Sequence, residues 1–96
     1  MAAEIIWSPG AEKSFDAFIL FLELKWNEKV IAKLLKELNE TLEAIAENPY
    51  MFPEYSKKKK LRKCVLRRRT ILLYRVKSLT KIELAIFADT RQNPKK

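Results

Sequence analysis

Histidine is absent from this 96-residue chain, cysteine and glycine occur once each, and proline occurs four times. Without histidine, a Ser-His-Asp or Cys-His arrangement is impossible. One cysteine, Cys64, is too few for a zinc site. It cannot close an internal disulfide either, which suits a reducing cytosol. With no His or second Cys to activate it, Cys64 reads as a small core or sheet residue, not a nucleophile. A single glycine excludes a glycine-rich phosphate loop and, with so few prolines, flexible linkers. No segment reaches the ~18–20 apolar residues that span a bilayer; the greasiest run, 15–26, is shorter and carries Asp16 and Glu23. Met-Ala-Ala-Glu at the start has no basic region leading into an apolar stretch, so no signal peptide is expected. The expectation is a cytoplasmic protein with no metal, no cofactor and no membrane partner.

At 48% hydrophobic and 33% charged, the chain has the composition of a folded domain, and its length allows one core, so 1–96 reads as a single domain. The charge is segregated. Residues 1–56 carry 5 Lys/Arg against 10 Asp/Glu, and residues 57–96 carry 15 against 2. The halves therefore differ in sign, at −5 and +13, and together give the net +8. Solubility does not require such segregation. It points to an anionic partner, either nucleic acid or an acidic protein segment.

Residues 4–7 are short, apolar and β-prone, and read as a first strand. Ser8 and Pro9 supply an N-cap and a first helical residue. Phe15, Phe18, Ile19, Leu22 and Trp26 then recur at helical spacing, predicting a helix over 9–26. Asn27 can cap a second helix over 28–47, whose stripe is Ile31, Leu34, Leu35, Leu38, Leu42 and Ile45, and Asn48-Pro49 stops it. Leu20, Phe21 and Leu24 widen the apolar face of the first helix toward a partner. Pro49 and Pro53 make 49–60 a loop, and four adjacent lysines, Lys57 to Lys60, stay solvated. Strands are expected over 61–68, 70–76 and 82–88, paired as an antiparallel meander. The class is α+β, in the order β-α-α-β-β-β, with an antiparallel helix hairpin on one face of a small, mostly antiparallel sheet. Two helices cannot cover both faces, so one face should stay partly open, lined by basic strand residues.

Glu37, Glu40 and Glu47 read as a solvated helix face with Lys33 and Lys36. What remains is a cationic site. Nine of the thirteen residues 57–69 are basic. On a strand, Arg62, Cys64, Leu66 and Arg68 share one face, while Lys63, Val65 and Arg67 share the other. Basic groups there could track a phosphate backbone or clamp a phosphorane during attack by a ribose 2′-hydroxyl, although Arg holds its proton too firmly to act as a base. Arg62, Arg67, Arg68, Arg69 and Arg91 are the candidate target or nucleic-acid contacts. Arg91, just after the last strand, could instead anchor the tail through Asp89. A plain nucleic-acid-binding module would need exposed rings for base stacking, and the basic half offers only Tyr74 and Phe87, both inside apolar strands.

Several segments, taken in order, resemble the RelE/ParE toxin superfamily over nearly the whole length. They are Trp7-Ser8-Pro9-Gly10-Ala11-Glu12, Asn48-Pro49-Tyr50-Met51-Phe52-Pro53, Leu61-Arg62-Lys63-Cys64-Val65, Ile71-Leu72-Leu73-Tyr74-Arg75-Val76, Ile82-Glu83-Leu84-Ala85-Ile86-Phe87 and Asp89-Thr90-Arg91-Gln92-Asn93-Pro94. The resemblance implies a toxin neutralised by a cognate antitoxin, for which Leu20, Phe21 and Leu24 are the expected contacts. It also implies one of two targets. RelE-like members cut mRNA on the ribosome; ParE-like members bind DNA gyrase with no known need for a catalytic site. Of the RelE-like catalytic set, Arg62 and Arg91 match, Cys64 and Ile71 stand where basic residues are expected, and no tyrosine follows Arg91. Arg67, Arg68 and Arg69 could compensate in part. The expectation is therefore a ParE-like gyrase inhibitor without enzymatic activity. The alternative is a RelE-like endoribonuclease, and the weaker one a nucleic-acid-binding module without toxicity. Tyr74, a recurrent family position, is expected in the core.

Overall fold

Ser8 starts the first helix as its chemistry requires: its backbone is extended, and its hydroxyl accepts from the Ala11 N–H at 3.0 Å. The computed structural model describes residues 2–66 and 70–89. Strand β1 (Glu4–Trp7) leads into α1 (Pro9–Lys25), and α2 (Glu28–Glu47) follows after two residues. Asn27 caps α2 by accepting from the Val30 N–H at 3.0 Å. Strands β2 (Glu54–Ser56), β3 (Leu61–Leu66), β4 (Thr70–Ser78) and β5 (Lys81–Asp89) complete the chain.

The five strands form one sheet in the order β1-β5-β4-β3-β2. All neighbours are antiparallel except β1, which lies parallel to β5, with Ile5 beside Ile82 and Trp7 beside Leu84. The α+β class and the helix hairpin on a mostly antiparallel sheet are as expected from the sequence. The segment 49–60 differs, because it contains β2. Glu54 pairs with Arg62 and Ser56 with Leu61. Three residues between Pro53 and a lysine run carry too little pattern to register as a strand, and an edge position tolerates the adjoining proline.

The helices cover one face of the sheet. Phe18 and Leu22 of α1, and Leu34, Leu38 and Ile45 of α2, pack with Cys64, Leu66, Leu72, Tyr74, Ile82, Leu84 and Phe87. Trp7, Phe15 and Phe87 extend this core as an aromatic cluster, with ring centroids 5.1–5.2 Å apart. The helix α1 is stitched directly to β5. Leu73 faces Ile86 while Tyr74 faces Leu84, so Ala85 is the extra residue of a bulge. The bulge frees two backbone groups. The Ser14 hydroxyl accepts from the Phe87 N–H at 2.9 Å, and the Ser8 hydroxyl donates to the Ala85 carbonyl at 3.3 Å. The only glycine, Gly10, allows this approach, since a Cβ there would stand 3.2 Å from the Ala85 carbonyl oxygen.

Candidate functional site

Three surfaces could carry function, and each follows from how the strands and helices present their residues.

The first is on the helices. Leu20 and Leu24 are 59% and 79% exposed, and Trp26, Val30 and Leu35 also reach the surface. A hollow of about 570 Å³, lined by Trp26, Ile31, Ala32 and Leu35 with Glu23 and Glu28 at its edge, opens at the hairpin turn. A contiguous exposed apolar patch rimmed by polar groups is a surface that a partner could cover. Of the three apolar residues singled out in the sequence, Leu20 and Leu24 lie on this surface. Phe21 is partly buried against the core.

The second is the open face of the sheet. Residues opposed across a ladder share a face, so the register defines it. Val65, Ile71 and Ala88 form one row, and Lys63, Leu73 and Ile86 form the next. Val65 and Ile86 are 50% and 42% exposed. Charge gathers toward the other end of β4. There Arg75 Nη1 donates to Glu83 Oε1 at 2.8 Å, and Lys77 Nζ stands 4.0 Å from the same oxygen. The open face was expected to be lined by basic strand residues. Its described middle is instead aliphatic, with Lys63, Arg75 and Lys77 around it. The physical reason is the parity of β3: Arg62 lies on the other face, in line with Cys64 and Leu66, and so turns toward the helical side.

The third surface is where Arg62 ends up. Its Nη1 donates to the Phe52 carbonyl at 2.6 Å, and its guanidinium carbon lies 4.8 Å from the centre of the Tyr50 ring. On the opposite side of β3, Lys63 Nζ lies 5.8 Å from the Tyr55 ring. Both tyrosines are exposed. They come from the segment before the basic run, so counting rings within the basic half missed them, and no local pattern in that segment pairs them with Arg62 and Lys63. Arg67, Arg68, Arg69 and Arg91 lie outside the described residues.

Cys64 and Tyr74 are buried among these surfaces and belong to the core. Burial pushes the Cys64 thiol up to about 11, with the Glu37 carboxylate adding to the effect. A neutral, enclosed thiol is a poor nucleophile. The Tyr74 hydroxyl donates to the Pro49 carbonyl at 2.8 Å. Burial also raises its pKa, outweighing the Phe52 backbone contact and the Arg62 charge. Because the fold favours both neutral forms, their contribution to stability is complete below the unfolded values near 9 and 10 and is lost as pH rises past them. Urea unfolding at pH 8 and pH 10.5 is expected to show lower stability at the higher pH. Cys64 alone contributes at most about 1.4 kcal/mol per pH unit between its two pKa values. Cys64→Ala should flatten the slope, and a slope unchanged by that substitution would remove Cys64 from this account.

The fold and surfaces can be set beside known proteins. The family model of the ParE toxin of the type II toxin–antitoxin system parDE matches residues 5–94. A solved chromosomal ParDE toxin–antitoxin system from P. aeruginosa is similar with a TM-score of 0.73 and 16% identity, covering 92% of this chain and 96% of that one. The solution structure of a conserved hypothetical protein from Helicobacter pylori gives 0.62 and 17%, covering 95% and 97%. A copper-bound mutant toxin from Helicobacter pylori gives 0.54 and 18%, covering 96% and 98%. At these identities the structural likeness speaks for the fold alone. No curated protein matches the sequence.

Proposed function

The chain belongs to the ParE toxin family of type II toxin–antitoxin systems, and from that premise we propose that it arrests growth by docking on DNA gyrase, with no nuclease chemistry of its own. The observation that carries this reading is the aliphatic centre of the open sheet face, Val65, Ile71, Leu73, Ile86 and Ala88. A phosphorane clamp needs fixed positive charge at the reacting phosphate. A protein interface needs an apolar centre that can be dried, with a polar rim around it. Lys63, Arg75 and Lys77 supply such a rim. The competing reading, ribosome-dependent mRNA cleavage, would use Arg62 and Arg91 as phosphate contacts of one site on the open face, but Arg62 is turned to the other side of the sheet, in line with Cys64 and Leu66. In cells, induction without antitoxin should produce a DNA-damage response while mRNA stays intact. Rapid mRNA cleavage at ribosomal A sites would replace this reading with the nuclease one.

The partner of a family toxin is its cognate antitoxin. We propose that the antitoxin takes the helix surface through an amphipathic acidic segment, its apolar side on Leu20 and Leu24 and its charge setting approach and orientation toward the basic half. Leu20→Glu with Leu24→Glu is expected to weaken antitoxin binding by at least about tenfold, since a carboxylate would be desolvated without a partner. Both positions are exposed, so folding should be kept. Phe21→Glu is a poorer probe because its ring packs on the core. Unchanged co-purification of the double variant with antitoxin would exclude this face.

A further inference from the structure

We infer that the hollow beside the β2–β3 hairpin and its turn is a binding site for a nucleotide phosphate. This goes beyond the gyrase reading and does not rest on it. The hollow holds about 430 Å³ and is lined by Tyr50, Glu54, Lys57, Lys60, Arg62 and Val76. That volume lies within the ~300–1,000 Å³ of ordinary small-ligand pockets.

Each wall has a chemical use. Arg62 is a cation with fixed geometry, because its Nη1 is tied to the Phe52 carbonyl and its plane is supported by the Tyr50 ring. Lys57 and Lys60 form no ion pair among the described residues, so their ammonium groups are available to an incoming anion. Tyr50 is 56% exposed, and a ring held on one side by a guanidinium can stack a base on the other. Glu54 would repel a bare phosphate, but it can accept hydrogen bonds from a base amino group or a sugar hydroxyl. The set therefore fits a nucleotide better than inorganic phosphate.

The backbone adds a second observation. Lys60 has φ of +58°, the only non-glycine residue with positive φ among the described residues. It closes the turn that begins at Lys57, with its N–H donating to the Lys57 carbonyl at 3.2 Å. Glycine or asparagine suits this left-handed position better than lysine. A lysine held there at a conformational cost is explained if its side chain has work in the hollow.

The shared chemistry, a phosphate beside a stackable base, could come from a free nucleotide or from a nucleic-acid strand. Titration of the full chain with adenosine 5′-monophosphate, inorganic phosphate and a labelled oligodeoxythymidylate, followed by backbone amide shifts, distinguishes them. The monophosphate is expected to shift residues 50, 54, 57, 60 and 62 and to bind at least tenfold more tightly than inorganic phosphate. A strand as the natural source adds a further tenfold or more for the oligonucleotide; equal affinity per site marks the free nucleotide. Lys57→Ala with Lys60→Ala should weaken binding tenfold or more, whereas Lys58→Ala with Lys59→Ala, an equal change in net charge, should leave it within twofold. Lys60→Gly should weaken binding while raising the melting temperature, and Tyr50→Phe should retain binding that Tyr50→Ala loses. Equal loss in both lysine pairs, or shifts scattered over the whole basic half, would overturn the site in favour of a general field.

Discussion

Tyr74→Ala is expected to destabilise the protein by about 3–5 kcal/mol, the range for truncating a fully buried aromatic ring. Tyr74 is completely enclosed, opposes Arg62 on one side and Leu84 on the other, and meets the Phe52 ring at 6.5 Å. Its hydroxyl also holds the Pro49 carbonyl, which ties the end of α2 to the centre of the sheet. Tyr74→Phe separates the two contributions. It keeps the ring and should cost only about 1–2 kcal/mol, the effect of leaving a half-buried carbonyl without its donor. Urea unfolding of both variants measures the difference. Equal losses would mean that the hydroxyl dominates and the ring packs loosely, contrary to the burial found here.

The second large effect is functional. Val65→Glu with Ile86→Glu is expected to reduce toxin action on the order of 100-fold, because two carboxylates would be buried unpaired in the centre of the proposed interface. The two side chains sit in adjacent rows of the open face and are half exposed in the free protein, so the fold should tolerate the change. Val65→Lys with Ile86→Lys discriminates further. A protein interface loses its apolar centre with either sign of charge, whereas a surface that follows phosphates would gain from the lysines. Toxicity kept or increased in the lysine variant would turn the reading toward nucleic acid.

Much of this architecture is written in local sequence. Ser8-Pro9, Asn27 and Asn48-Pro49 mark the helix ends because capping and chain termination depend on one or two side chains, and they act there in the structure. The meander is equally legible from its alternation and short links. What is not legible depends on distant partners. The parallel seat of β1 beside β5 joins residues nearly eighty positions apart, as Glu4 and Lys81 do, and no local pattern encodes it. The Ala85 bulge lets both Leu84 and Phe87 face the core, which strict alternation forbids. Parity along β3 separates Arg62 from Lys63 but does not tell which face the helices will take. For that reason the open face could be expected to be basic although its centre is aliphatic. The pairing of Tyr50 with Arg62 likewise depends on β2, a three-residue strand formed by its neighbour more than by its own sequence.

The most direct test of the central claim is a supercoiling assay with purified gyrase, relaxed plasmid and the isolated toxin, run beside ribosome-dependent mRNA cleavage with the same preparation. The account predicts that supercoiling is inhibited, that added antitoxin relieves the inhibition, that the Val65→Glu, Ile86→Glu variant fails to inhibit, and that mRNA stays intact. Uninhibited gyrase together with mRNA cut on the ribosome would contradict it.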